Sequence, residues 1–258
     1  MKSLWLTSLI DSEEKVSQLI AQLRTYGLEA RGHFWEDALD KMAWARPREE
    51  LVKPEVSLWL ILASREHLNN PSIRYGLSLL GLTLQAAKGI TFPVAILLTE
   101  RELPSEEGLP TPLKGADLLS LTDPGMAAKL VVKLSMPPKE ISPEYRIDTY
   151  GHPHIGQWIE VGPSHQTWPG AMLGVSEAEI TFHAVGPKGS LPTTSSLRYP
   201  LKGMKLSLGG REFTAWAVQN EIDPNTSYFV RVEGFPDAIL FGPYTTDQEA
   251  EVFVLQLK

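Results

Sequence analysis

The chain of 258 residues contains no cysteine. It can therefore form no disulfide bond, no thiolate zinc site and no cysteine nucleophile. Disulfide bonds are typical of secreted proteins, so nothing in the composition indicates an oxidising compartment. We therefore expect a cytoplasmic protein.

Positive charge and long apolar runs are also scarce. The 24 Lys and Arg residues are outnumbered by 31 Asp and Glu residues, and the formal net charge is -7. Nucleic-acid binding needs a concentrated basic face, which no segment supplies. No apolar run reaches the roughly 18 residues of a transmembrane helix, and residues 4–10 run into Asp11 without a signal-peptide cleavage site. We expect neither a nucleic acid nor a membrane as partner.

The residues that are present indicate two domains. The hydrophobic content of 43% is sufficient for two modest cores. Three prolines lie within residues 135–143, a density that regular structure does not tolerate. We predict an α/β domain at residues 1–135, a Pro-rich linker at 136–145 and a β-rich domain at 146–258.

The first half alternates strand and helix patterns. The predicted strands are 4–10, 28–34, 56–63, 92–98 and 117–121, and the predicted helices lie within 12–27, 48–53, 72–88 and 124–134, with a loop at 65–70. The third strand is almost continuously apolar, as in a parallel sheet covered on both faces. We predict a flavodoxin-like five-stranded parallel sheet in the order 2-1-3-4-5. Ligands of such sheets bind beyond the carboxyl ends of the strands.

The second half contains short strand patterns separated by turn residues. The predicted strands are 157–161, 179–185, 204–208, 212–218, 228–233 and 238–241. Gly209 and Gly210 form the clearest hairpin turn. A mostly antiparallel sandwich or partly open barrel follows, with a short C-terminal helix whose Ala250, Phe253, Val254 and Leu257 face the sheet.

Several motifs of the first half resemble one family. They are Trp5-Leu6-Thr7-Ser8 followed by Asp11-Ser12-Glu13-Glu14, Gly27-Leu28-Glu29-Ala30, Trp35-Glu36, and Ala63-Ser64 with Tyr75. Together, over about residues 3–134, they resemble TIR-like (Toll and interleukin receptor type) and SEFIR-like domains. The resemblance implies protein association through surface loops. It implies NAD cleavage only where the helix after the third strand carries a Glu.

At that position this chain has Gly76. Glycine has no side chain for general-base chemistry or charge stabilisation. The resemblance therefore implies no catalytic residue and no cofactor. If the chain is an NAD-cleaving or nucleotide-processing enzyme, Glu66 is the candidate replacement acid.

Other catalytic patterns fit less well. A phospho-receiver needs an Asp where this chain has Ala63 and Ser64 at the end of the third strand. No dinucleotide fingerprint or phosphate-binding loop occurs. Ser8 and Ser64 do not lie in a nucleophile elbow, and no histidine follows in a suitable place for a hydrolase triad.

Two groups in the second half have a candidate binding chemistry. His152 and His154 have the spacing of metal ligands, but Pro153 indicates a loop without a carboxylate, so we predict no metal site. Trp158, Trp168 and Trp216, with Tyr150 and Tyr199, are a candidate ligand face for a sugar or peptide, or the core of a small β domain.

The leading hypothesis is a non-enzymatic signalling or interaction protein whose partner is a protein, with self-association as one form. Its candidate binding residues are Ser8, Asp11, Trp35, Glu36, Arg65 and Arg74. Two alternatives stay open: the NAD-dependent enzyme with Glu66, and a carbohydrate- or peptide-binding protein that uses its β domain.

Overall fold

The computed structural model describes residues 2–137, 141–194, 196–244 and 251–258. The chain divides into two compact units, Met1–Leu39 with Arg46–Ile141, and Asp40–Ala45 with Ser142–Lys258. The two-domain architecture is therefore confirmed. The assignment of Asp40–Ala45 to the second unit has no counterpart in the sequence pattern.

The first unit is a parallel sheet with helices. Its elements are β1 (Lys2–Ser8), α1 (Glu13–Thr25), β2 (Leu28–Phe34), α2 (Arg48–Leu51), β3 (Val56–Ala63), α3 (Arg65–Asn69), α4 (Pro71–Lys88), β4 (Val94–Leu98), β5 (Asp117–Ser120) and α5 (Met126–Ser135). The strands are parallel and lie in the order β2-β1-β3-β4-β5, so the predicted topology is confirmed.

The central strand β3 explains why this half folds around two cores. Its alternate residues Trp59, Ile61 and Ala63 belong to a cluster that includes Leu77 and Leu80 of α4. The intervening residues belong to a second cluster with side chains of α1 and α5, namely Leu58, Leu60 and Leu62 with Leu19, Leu23 and Leu130. A strand buried on both faces has no polar side, which accounts for its unbroken apolar sequence.

The helix α3 replaces the loop that the sequence predicted at residues 65–70. Ser64 caps the helix: its side chain accepts from the backbone N–H of His67, and the His67 ring accepts from the Ser64 backbone N–H. Asn70 ends α3 and caps α4 through its side chain. These local caps fix a helix of five residues, too short for an apolar period to reveal. Among the described residues no helix is long and apolar enough to cross a membrane.

The second unit contains two antiparallel sheets. Its strands are β6 (Tyr145–His152), β7 (Gly156–Pro163), β8 (Ala171–Val175), β9 (Glu179–Pro187), β10 (Leu201–Leu208), β11 (Arg211–Val218), β12 (Thr226–Glu233), β13 (Ala238–Pro243) and β14 (Phe253–Gln256). One sheet has the order β6-β7-β12-β9 and the other the order β10-β11-β8-β13-β14. Aromatic rings pack between the two sheets. The ring centroid of Tyr145 in β6 lies 4.9 Å from that of Phe241 and 4.5 Å from that of Phe253. The unit is therefore a β-sandwich.

The end of the chain corrects one prediction. Phe253 and Val254, expected on a C-terminal helix, lie on β14 and pair with β13. Ala250 lies outside the described residues. The spacing of Phe253, Val254 and Leu257 is that of a helical face. Without β14, however, one edge of β13 would have no pairing strand. Pairing along this edge satisfies the backbone hydrogen bonds of both strands.

The segment Asp40–Ala45 supplies a core side chain to the sandwich. Trp44 is 1% exposed, and a Cβ added to Gly151 would lie 2.5 Å from its ring. Because side chains alternate along a strand, Gly151 of β6 shares a face with Ile147 and Thr149, which are both buried. The indole therefore fills the space on this face that glycine leaves open.

A buried histidine lies between the two sheets. His183 of β9 is 3% exposed, its Nδ1 lies 2.8 Å from the Tyr228 hydroxyl, and its ring meets that of Trp216 edge to face at 4.8 Å. Burial, with a smaller effect of the Lys202 charge, lowers the pKa of His183 to about 4. The imidazole is therefore neutral at neutral pH.

We expect this histidine to make the sandwich sensitive to acid. In the unfolded chain its pKa returns to the ordinary histidine value of 6.5, so between about pH 6.5 and pH 4 the unfolded state binds a proton that the folded state does not bind. Stability is therefore complete above pH 6.5 and falls with pH, by about 2 kcal/mol between pH 7 and pH 5. His183→Gln should remove this part of the pH dependence, as measured by urea unfolding at each pH. Equal pH slopes for the two proteins would contradict the assignment.

Candidate functional site

The sequence predicted a ligand site at the carboxyl edge of the parallel sheet. The serine hydroxyl groups at this edge form hydrogen bonds with residues close to them in the chain. Ser8 is buried, and its hydroxyl donates to the Ile10 carbonyl at 2.8 Å. Ser64 Oγ lies 2.6 Å from His67 Nδ1 within the α3 cap. Asp11 is exposed beyond β1. The edge therefore presents few free hydroxyl groups.

The N-terminus of α3 already holds an anion that the chain itself provides. The backbone N–H of Arg65 donates to both carboxylate oxygens of Glu100, each at 3.2 Å. Burial raises the pKa of Glu100, but the hydrogen bonds from the N–H groups of Arg65 and Glu100 and from Thr99 outweigh it and lower the pKa overall. The carboxylate thus occupies the position beside β3 where a helix N-terminus would attract a ligand phosphate.

The other charged residues predicted at this edge differ in the number of hydrogen bonds and ion pairs that they form. Arg74 donates to the carbonyls of Leu68 and Gly108 at 3.0 and 2.6 Å, so it ties α3 to the loop before β5. Arg65 donates through its side chain to the Glu102 carbonyl at 3.0 Å. Glu36 is exposed and forms an ion pair with Arg46. These contacts organise loops.

Glu66, the candidate acid, lies in the first turn of α3. It is exposed and makes no hydrogen bond or ion pair with any residue that the structure describes. General acid or base chemistry requires a positioned carboxyl group with a shifted pKa. The structure provides no contact that positions Glu66.

Gly76 has a packing role. A Cβ added there would lie 2.6 Å from Cζ2 of Trp35 and 3.4 Å from the side chain of Leu39. The glycine therefore admits the indole of Trp35 against α4. This contact holds the loop after β2 on the helix, and the ring of Trp35 fills the volume beside Gly76.

The three tryptophans of the predicted ligand face are not brought together. Trp168 is 7% exposed and belongs to the core of the sandwich. Trp216 lies against His183, with the Lys202 ammonium 4.5 Å from its ring centroid. Trp158 lies on β7 in the other sheet and is half-buried.

Trp158 belongs to a different group, which crosses all four strands of its sheet. Tyr150 of β6 pairs with Trp158, Trp158 pairs with Arg231 of β12, and Arg231 pairs with Phe182 of β9. Paired residues point to the same face. The rings of Trp158 and Phe182 meet edge to face at 5.9 Å. Phe182 is 51% exposed and the other three are half-buried. We call these four residues the aromatic strip.

A buried carboxylate holds one end of the aromatic strip in place. The Tyr150 hydroxyl donates to Glu160, which also accepts from the Ser227 hydroxyl at 2.6 Å and from the Gly189 N–H at 2.9 Å. The Trp158 Nε1–H donates to the Ile155 carbonyl at 2.9 Å. The polar tips of both rings are thus engaged within the sheet, and their apolar faces form the surface.

Charges of both signs accompany the strip. Arg231 makes no hydrogen bond or ion pair with the described residues. Two positions further along β12, on the same face, lies Glu233, which pairs with Glu179 of β9. Both glutamates are exposed. The surface therefore combines apolar rings, two carboxylates and the Arg231 guanidinium, which has no partner among the described residues.

The structure places His152 and His154 at the turn between β6 and β7. The rings of His152 and His154 are 5.1 Å apart, and the His154 backbone N–H donates to His152 Nδ1 at 3.2 Å. In the part of the chain that the structure covers, no three potential ligands come together to hold a metal ion.

In comparisons with known proteins, no family model matches the chain. No curated protein matches it significantly either. The similarity to TIR-like domains rests on the motifs quoted above.

Sequence reasoning named Tyr150 and Trp158 but missed Phe182 and Arg231. The sequence contains only part of the information needed to find these neighbours. Alternation shows which residues of a strand share a face, but the pairing register decides which residues of adjacent strands are neighbours. Strands β6 and β8 were also missed, since they contain Asp148, Gly151 and Gly174.

Two glycines of α4 allow the packing of Trp35 to be tested. Gly76→Ala should destabilise the first unit by about 1–3 kcal/mol, because the new methyl group overlaps the Trp35 ring. Gly81→Ala is the matched control: its Cβ would meet only ordinary contacts, the nearest 3.4 Å away at Pro112, and it should gain about 0.5–1 kcal/mol of helix propensity. Urea unfolding measures both changes. Equal effects of the two substitutions would contradict the contact.

Proposed function

We propose that the chain is a non-enzymatic, cytoplasmic signalling or interaction protein that associates with a second copy of itself through the aromatic strip of its β-sandwich. In this proposal the parallel sheet is a TIR-like domain without a catalytic role. The cytoplasmic location is supported by the lack of cysteine in all 258 residues.

The non-enzymatic part is supported by the carboxyl edge of the sheet. The N-terminus of α3 binds the carboxylate of Glu100, and Gly76 lies under the ring of Trp35. A nucleotide would have to displace an internal anion and would meet no positioned acid. This arrangement favours a structural role for the edge.

The aromatic strip is the observation that carries the proposal. Trp, Tyr and Arg are the residues that contribute most to protein interfaces, because large rigid rings are desolvated at little cost in conformational entropy. Here Tyr150, Trp158 and Arg231 share a face with Phe182, which is 51% exposed. The polar tips of Tyr150 and Trp158 are already bonded to other residues of the sandwich, so both rings present their apolar faces. The surface therefore suits a protein.

The charges beside the strip favour a second copy over an unrelated partner. A two-fold axis places the same patch on both sides of the interface, so the patch must complement itself. Arg231 and Glu233 lie on one face of β12, two residues apart. A two-fold interface can bring each Arg231 opposite the Glu233 of the other copy while the aromatic rings meet between them.

Reversing these charges one at a time should identify the interface. Arg231→Glu and Glu233→Arg should each raise the dissociation constant of the self-associated state by about tenfold or more, because like charges then face each other. An equimolar mixture of the two variants should associate about as well as the original protein, since every pair is again of opposite charge. Sedimentation velocity over a range of concentrations measures all four samples.

Glu212→Arg is the control for the change in net charge. Glu212 is exposed on β11, in the other sheet of the sandwich, so its reversal should leave association unchanged. A protein that stays monomeric at every concentration, or a mixture no better associated than either variant alone, would refute the interface.

The proposal also predicts that the purified protein releases no nicotinamide from NAD. Glu66 has no partner among the described residues to position it, and Gly76 carries no carboxyl group. Chromatographic detection of nicotinamide after incubation at high protein concentration gives the answer, with an NAD-cleaving enzyme as positive control. Nicotinamide release that Glu66→Gln abolishes would establish the enzymatic alternative instead.

A further inference from the structure

A cavity of about 560 Å³ lies at the carboxyl ends of β4 and β5, outside the surfaces described so far. Its polar and charged lining residues are Arg101, Ser120, Thr122, Asp123 and Lys129. The volume is in the range of small-molecule sites. The position beyond the carboxyl ends of parallel strands is also where ligands of such sheets bind.

The cations of this cavity are not balanced by its acid. Lys129 donates to the Asp123 carboxylate at 2.7 Å, and the Gly125 backbone N–H donates to the same carboxylate at 2.8 Å. Arg101, by contrast, is exposed and has no hydrogen-bond or ion-pair partner within the described ranges. The lining therefore carries one uncompensated positive charge, on a guanidinium whose fork matches two oxygens of an anion.

The donor and acceptor roles of the two hydroxyl groups in the cavity are defined by their hydrogen bonds. Ser120 Oγ donates its single proton to the Glu100 carbonyl at 2.8 Å, because a carbonyl can only accept. In the 2.9 Å contact between Ser120 and Thr122 the donor must then be Thr122. Thr122 Oγ1 therefore presents lone pairs, which accept a hydrogen bond from a ligand.

The remaining lining is apolar. Leu103, which is 43% exposed, lines the cavity together with Leu118 and Pro124. Such walls contact carbon-bound hydrogens, whereas Thr122 and Asp123 accept from hydroxyl groups and Arg101 binds a negative group. We infer that this cavity binds a small hydroxylated organic anion, of the class of sugar phosphates and sugar acids.

The inference is tested by calorimetric titration of the full chain with ribose 5-phosphate, gluconate, inorganic phosphate and ribose. At least one of the first two should bind, and the one that does identifies the anionic group. Inorganic phosphate should bind about tenfold more weakly or not at all, and ribose should not bind at concentrations up to about 10 mM. Perturbed amide resonances of Thr122 and Gly125 would locate the binding in the cavity.

Three variants make the result specific. Arg101→Gln should weaken binding at least about tenfold. Arg31→Gln, which removes an exposed arginine of β2, should have no effect. Thr122→Val should weaken binding of the organic anion more than binding of inorganic phosphate, because it removes the acceptor for a ligand hydroxyl and leaves Arg101 in place. Lack of binding by both organic anions, equal binding by Arg101→Gln, or equal affinity for inorganic phosphate would overturn the inference. Each outcome is independent of self-association, because the cavity and the aromatic strip lie in different units.

Discussion

The hydrogen bonds between the Arg65 backbone N–H and the Glu100 carboxylate determine what the parallel sheet can offer to a ligand. They join the start of α3, which follows β3, to the residue just beyond β4. In a doubly wound sheet this edge is the natural place for a bound anion, because helix N-termini carry partial positive charge. Here an internal carboxylate satisfies that charge. An anion from outside the chain would therefore have to displace the Glu100 carboxylate at this position.

The contact between Gly76 and Trp35 likewise fills space near this edge with a group of the chain itself. It brings the loop after β2 onto α4 and fills the volume beside the helix with a ring rather than with a polar side chain. The sequence identified Gly76 as the position that lacks an acid but offered no reason for glycine there. The reason is a contact between residues 41 positions apart in the chain, and no local pattern reports such a contact.

The sequence predicted the parallel sheet because its signals are strong and local. The unbroken apolar run of β3 and the long apolar helix α4 leave little choice of topology. Helix α3 was beyond reach, because five residues are shorter than two helical turns and only the Ser64 and His67 caps mark it. In the sandwich, tryptophans could be counted but not assigned to faces. Trp158, Trp168 and Trp216 separate into surface, core and inter-sheet positions only once strand pairing is known.

The arginines differ in whether their guanidinium groups have hydrogen-bond partners within the structure. Arg74 and Arg146 donate to backbone carbonyls of their own units, where they hold loops together. Arg101 and Arg231 have no such partner among the described residues, although the chain has 31 acidic residues against 24 basic ones. In a protein with a net charge of -7 carboxylates are abundant, so the lack of a partner for these two guanidinium groups among the described residues makes them candidates for binding. The proposed carboxylate of a second copy at Arg231 and the proposed small anion at Arg101 would supply complementary charge from outside the chain.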